Sequence, residues 1–206
     1  VYAIVGGTGA GKSTVARRLA RRHGGRRVDA DRVGHAVLRL ERVRRRLLAA
    51  FGPGIVAPDG TIDRARLGAR VFGRREKLRT LNRIVHPEIA RRLRARLAAL
   101  ERSGARFVLL DAALFFEFEL ERPVDGVLAV VAPIAVRRAR LRACGLAPRV
   151  VAARLRSQPH VAAWTRRADV RLDSDCDLRQ LGARIDAAWD ELRRRRRRPA
   201  SKRSGP

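Results

Sequence analysis

Residues 6–13 read GGTGAGKS, a glycine-rich loop that ends on a lysine and a hydroxyl. The spacing G-x-x-x-x-G-K-[ST] suits a polyphosphate. Glycines adopt positive φ without steric cost and bring backbone N–H groups close to an anion. A helix that starts where the loop ends adds its own unpaired N–H groups and the positive end of its dipole. Lys12 would reach the β- and γ-phosphates, and the Ser13 hydroxyl would ligate Mg²⁺. Gly9, Ala10, Gly11, Lys12, Ser13 and Thr14 are the expected triphosphate-binding set. A second group of reactive side chains lies in VDAD, residues 28–31. In a doubly wound sheet, ligands sit beyond the carboxyl ends of the strands. Asp31 is the candidate to take a proton from a substrate hydroxyl or to help hold the metal. Asp29 could do either, or cap the next helix.

These residues need a strand before the loop and a helix after it. Val1–Val5 is apolar enough for a buried strand, and Ser13–His23 has Val15, Ala16, Leu19 and Ala20 at helical spacing. Arg27–Asp29 predicts a second strand and Arg32–Phe51 one helix. The turn-rich segment FGPGIVAPDGT is followed by Asp63, an expected N-cap for a helix to Phe72. Arg75–Ser103 predicts a long helical stretch broken at Pro87. Phe107–Asp111 and Gly126–Val131 are expected buried strands. Pro133–Ala143, Arg149–Ser157 and Val161–Arg167 predict helices, Val170–Leu172 a last strand, and Leu178–Arg193 a last helix. Alternation of strands and helices implies a parallel sheet covered on both faces.

A chain of 206 residues suits one domain, with or without insertions. The charge is extreme, 48 basic residues against 20 acidic, and only Lys12, Lys77 and Lys202 are lysines. Such a surface attracts polyanions. The arginines are spread along the chain without interleaved aromatics, which favours a generally solvated basic surface over a nucleic-acid platform. Residues 193–206 are expected to form a basic disordered tail, with contact to nucleic acid possible through it. Two cysteines make no disulfide framework, and no Cys/His spacing resembles a zinc site. The longest uncharged apolar stretch is too short for a bilayer, and the loop beginning at Gly6 leaves no room for a leader. A soluble cytoplasmic protein is therefore expected, a monomer or weak oligomer. Val1 in place of Met suggests an alternative start codon or a trimmed N-terminus.

Taken in order, GGTGAGKST, VDAD, DGTIDRARLGARVF and LNRIVHPEI resemble the dephospho-CoA kinase family from Val1 to about Asp175. The second pair of blocks is more specific than the loop. LLDAALFFE, residues 109–117, is similar to the family's Pro-Leu-Leu-x-Glu segment; Glu117 matches and Ala113 stands where proline is usual. Arg138 and Arg142 have the R-x-x-x-R spacing of the family's lid helix, and RLRSQ ends at Gln158 as the next lid helix does. Residues 174–176 depart from the family's Asn-x-Gly.

The resemblance implies a P-loop NTPase-type three-layer α/β/α fold with a parallel sheet. It implies one kinase domain over residues 1–192, with a helical acceptor-binding region at about 32–103 and a small lid at about 138–167. The implied reaction is transfer of phosphoryl from ATP, with Mg²⁺, to the ribose 3′-hydroxyl of dephospho-CoA. Lys12, Asp31, Arg138 and Arg142 would be catalytic, and Asp31, His86 and Glu117 would contact the acceptor. A half-buried histidine that only fixes a helix break is the other reading of His86. A kinase for another small hydroxyl or nucleoside monophosphate, and an RNA-associated P-loop ATPase, are the alternatives.

Overall fold

The computed structural model describes residues 1–71, 74–112, 124–156, 158 and 161–196. In chain order the elements are β1 (Tyr2–Val5), α1 (Lys12–His23), β2 (Arg26–Asp29), α2 (Ala30–Leu38), α3 (Glu41–Phe51), a 3-10 turn (Pro53–Ile55), α4 (Arg64–Val71) and α5 (Arg75–Arg102). There follow β3 (Val108–Asp111), β4 (Gly126–Val131), α6 (Ile134–Ala143), α7 (Pro148–Arg156), α8 (Val161–Arg166), β5 (Val170–Asp173) and α9 (Leu178–Arg196). They form two compact units. One holds residues 1–28 and the described residues from 97 onward, and the other holds residues 29–96.

In the first unit the sheet order is β2-β3-β1-β4-β5 among the described residues. β1 pairs parallel with β3 (Tyr2 opposite Leu109) and with β4 (Tyr2 opposite Gly126), and β4 pairs parallel with β5 (Leu128 opposite Val170). Parallel strands buried on both faces read as continuous apolar runs, which is why YAIV and GVLAVV are legible as strands. Alternate residues point to opposite faces. Tyr2, Ile4, Leu109, Leu128 and Val130 pack with Val15, Leu19, Ile185, Trp189 and Leu192, so α1 and α9 cover that side. Ala3, Val5, Val127 and Ala129 fill the other, with Val124 and Ala168 against them. The α/β/α class is as expected.

α9 continues to Arg196, so the basic run does not fray at Arg193. Asp190 pairs with Arg193 and Glu191 with Arg195, one turn apart on the helix. Residues 197–206 lie outside the described residues.

The second unit departs from expectation twice. Residues 32–51 are two helices, with Leu40 extended at the start of α3. In one helix Val43, six residues beyond Val37, would lie about 240° around the axis from it. The break at Arg39 and Leu40 resets the face, so that Val37 is buried and Val43, Leu47 and Phe51 are buried as well. Second, α5 runs unbroken through Pro87. Proline leaves the Arg83 carbonyl without its helical partner and crowds the preceding turn. Ile84, Val85, Ile89, Ala90 and Leu93 are all buried, and that apolar stripe holds the helix together across the defect. Asp63 caps α4 as expected, its Oδ1 accepting from the N–H groups of Ala65 and Arg66 at 2.9 and 3.1 Å. Phe72, the expected end of that helix, lies outside the described residues. No described helix is long and apolar enough to cross a membrane.

Candidate active site

β1 ends at Val5 and the chain turns at once into the glycine loop. Gly6 has φ 144°, and a Cβ there would collide with the Val130 carbonyl of the neighbouring strand. Gly9 has φ 79°, and a Cβ there would sit 2.7 Å from the Arg137 carbonyl. Both positions therefore need glycine, for conformation and for space. Ala10 N–H bonds the Gly7 carbonyl at 3.1 Å, and Thr14 and Val15 bond Gly11, closing the loop into the first turn of α1. The Lys12 ammonium lies over the loop, donating to the Gly7 carbonyl at 3.3 Å. Lys12 and Ser13 thus stand at the start of α1, where the helix dipole favours anions.

Ser13 Oγ donates to Asp111 Oδ2 at 3.0 Å. Asp111 closes β3, next to β1 in the sheet, and is 5% exposed. Arg27, on β2, donates to the same oxygen through Nη2 at 2.8 Å and Nε at 3.2 Å. Sequence reasoning did not single out Asp111. Its signal was VLLD, an apolar strand that ends on a carboxylate at the ligand edge of a parallel sheet. A hydroxyl and a carboxylate side by side are hard oxygen donors, the type that Mg²⁺ takes. They fit a divalent cation.

The lid-helix arginines that reach the loop are Arg137 and Arg140. Arg137 Nε donates to the Thr8 carbonyl at 2.8 Å, and its guanidinium fills the space that a Gly7 side chain would need. Burial pushes the Arg137 pKa down from the ordinary arginine value, yet an arginine stays charged. Arg140 grips Ser174, through Nη1 to Oγ at 3.0 Å and Nη2 to the carbonyl at 2.7 Å. Ser174, buried, donates its hydroxyl to the Ala10 carbonyl at 2.7 Å. Ser174, the first of the residues that depart from Asn-x-Gly, thus braces the loop. Gln158 Oε1 accepts from the Thr8 N–H at 2.7 Å. Arg138 and Arg142 are exposed. At about 100° per residue they lie to one side of buried Leu141, whereas Arg137 and Arg140 lie to the other. Spacing alone does not tell these two faces apart.

In the second unit, Asp29 is the N-cap of α2, its Oδ1 accepting from the Arg32 N–H at 3.1 Å. Asp31 occupies the first turn of α2 and is exposed. His35, one turn on, has its pKa lowered by burial and by the Arg64 charge, with Asp31 and Asp29 opposing. His86 is half-buried within α5, beside Pro87. Glu117 and Ala113 lie outside the described residues.

A phosphate loop between the central strand and the first helix of a parallel α/β sheet, with a hydroxyl–carboxylate pair at its end, defines a P-loop nucleotide-binding protein. The sequence model of the dephospho-CoA kinase family matches residues 1–180. The chain belongs to the dephospho-CoA kinase family, and is thereby a transferase that uses ATP, typically with a divalent metal. It is 38% identical over 194 residues to the dephospho-CoA kinase of Geobacillus kaustophilus, covering 92% of this chain and 96% of that one. A solved Thermus thermophilus structure superposes with a TM-score of 0.76 at 34% identity, over 93% of this chain and 96% of its own. The dephospho-CoA kinase of Campylobacter jejuni has a TM-score of 0.64 at 21% identity, over 93% and 96%, a likeness of fold.

Proposed function

We propose that the chain transfers the γ-phosphoryl group of ATP to the ribose 3′-hydroxyl of dephospho-CoA, giving coenzyme A and ADP in the cytoplasm. The observation that supports this reading most is the 3.0 Å contact of Ser13 with Asp111 beside a phosphate loop, in a chain of this family. The N–H groups from Gly9 to Thr14 wrap the phosphate chain. Lys12 leaves the Gly7 carbonyl and neutralises charge on the β- and γ-phosphates. Ser13 and Asp111 would hold Mg²⁺, which supplies charge neutralisation at the phosphates when bound. Asp31 orients the acceptor hydroxyl and takes its proton. Arg137, which bonds the Thr8 carbonyl, and Arg140, which bonds Ser174, would take the part that the family resemblance implies for Arg138 and Arg142. They supply positive charge beside the loop and help exclude water, because a wet site would hydrolyse ATP. His86 and Glu117 are candidates for contact with the acceptor. Phosphoryl transfer has a loose transition state, so positioning and electrostatics supply most of the rate.

The test is ADP release from Mg-ATP with and without dephospho-CoA, in wild type and Asp31→Asn, with adenosine and AMP as control acceptors. Stimulation by dephospho-CoA alone, lost in the variant, with coenzyme A identified by mass, is the expected result. A folded, ATP-binding protein without that stimulation overturns the substrate assignment.

A further inference from the structure

We propose that Arg27 is a resident counter-cation at the Ser13–Asp111 pair, which keeps a free divalent cation from binding there and makes metal binding depend on nucleotide. The inference rests on the reading of that pair as the metal-holding residues. Three donors converge on one carboxylate oxygen, Asp111 Oδ2: Ser13 Oγ at 3.0 Å, Arg27 Nη2 at 2.8 Å and Arg27 Nε at 3.2 Å. That oxygen belongs to a carboxylate 5% exposed, so its charge is poorly solvated and needs a partner. The Arg27 side chain, 21% exposed, is held in place by the sheet, because the Arg26 N–H bonds the Phe107 carbonyl at 3.0 Å and sets β2 beside β3.

A divalent ion that took the same oxygen would lie within a few ångströms of the guanidinium. Like charges so close in a partly buried site repel strongly. Without nucleotide, the metal must displace a partner that already satisfies the carboxylate, so its affinity is low. The nucleotide changes this balance. Its phosphates bring several negative charges to the glycine loop, offset the repulsion, and offer the guanidinium other oxygens to bond. Metal and nucleotide then bind cooperatively, and by linkage each raises the affinity of the other by the same factor. Arg27 is a positioning residue in this scheme: it acts through Asp111 and takes no proton.

The test uses the full chain and Mn²⁺ as the probe, with free Mn²⁺ followed by its paramagnetic resonance signal, without nucleotide. Wild type, Arg27→Met, Arg27→Lys, Asp111→Asn and the double variant Arg27→Met/Asp111→Asn are compared. Arg27→Met is expected to bind Mn²⁺ alone about tenfold or more tightly than wild type, whereas Arg27→Lys, which keeps the charge, stays close to wild type. The gain in affinity for a non-hydrolysable ATP analogue on adding Mn²⁺ should shrink in Arg27→Met. A purely structural role would not tighten metal binding. Arg27→Met binding Mn²⁺ as weakly as wild type, while Asp111→Asn lowers it further, overturns the proposal and leaves Asp111 as the metal ligand. Tight Mn²⁺ binding retained in the double variant overturns the reading of Asp111 itself. Should Arg27→Met not fold, Arg27→Gln is read by the same titration, and unchanged affinity there overturns the proposal.

Discussion

Ser174 donates its hydroxyl to the carbonyl of Ala10 across 2.7 Å, joining the segment after β5 to the phosphate loop. The same hydroxyl accepts from Arg140, so one small side chain ties the lid helix to the loop. Ser174→Ala leaves the buried Ala10 carbonyl and the Arg140 guanidinium each short of a partner. A lost buried hydrogen bond costs about 1–3 kcal/mol. Tm should fall by roughly 3–8 °C in a thermal melt, and KM for ATP should rise as the loop loosens. An unchanged melt with unchanged KM would show that the brace is dispensable.

Lys12 holds its ammonium over the phosphate loop, donating to the Gly7 carbonyl at 3.3 Å. Lys12→Ala should lower kcat by about 10²–10³-fold, the usual loss for one preorganised charge at a developing anion. The fold should be retained, since the loop's shape comes from its glycines and backbone bonds. Steady-state kinetics beside a circular dichroism melt checks both halves. Full activity in Lys12→Ala would remove the lysine from the mechanism.

The two faces of α6 separate in the same assay. Arg137→Gln and Arg140→Gln remove guanidiniums that touch the loop and its brace, and should each reduce kcat/KM at least tenfold if they act at the transferring group. Arg138→Gln and Arg142→Gln remove exposed charges and should stay within about twofold of wild type. The opposite ranking would show that α6 rotates on closing and brings the Arg138 face inward.

What was legible in the sequence follows from how local each signal is. The phosphate loop is contiguous, with its strand before it and its helix after it, so eight residues suffice to place Lys12 and Ser13. Asp111 is 98 residues from Ser13, and only the sheet order brings β3 beside β1. An Asp at the end of VLLD could have been flagged, but its partner could not. Arg27 is less visible still. In sequence it is one arginine among many, and it matters because β2 neighbours β3. The break between α2 and α3 has no glycine or proline to announce it; it exists because two buried stripes, ending at Val37 and starting at Val43, do not share a helical phase. Pro87 misled in the opposite direction, since burial on both sides outweighed a local breaker. Asp31 was legible as a carboxylate past a strand, and its geometry toward a substrate is a matter for the Asp31→Asn experiment.

The acid limb of stability offers a prediction in the second unit. Glu88 accepts from Arg42 through both oxygens, and from Arg91 one turn along α5. The hydrogen bonds from Arg42, then those from Arg91, lower its pKa to about 2 from the ordinary 4.5. A carboxyl whose folded pKa lies below its unfolded value binds protons more readily unfolded. Its contribution is therefore complete above about pH 4.5, declines as pH falls, and is gone below about 2. Arg42 is half-exposed, so water and salt screen the pair and its share of stability is modest. Glu88→Gln should lower Tm by a few degrees at pH 7 and by progressively less as pH falls from 4.5 toward 2. The difference between variant and wild type should also narrow in high salt. Melts of the two proteins across this range check the sign, and a difference that grew with acidity would contradict the assignment of Glu88 as an ionised partner of Arg42.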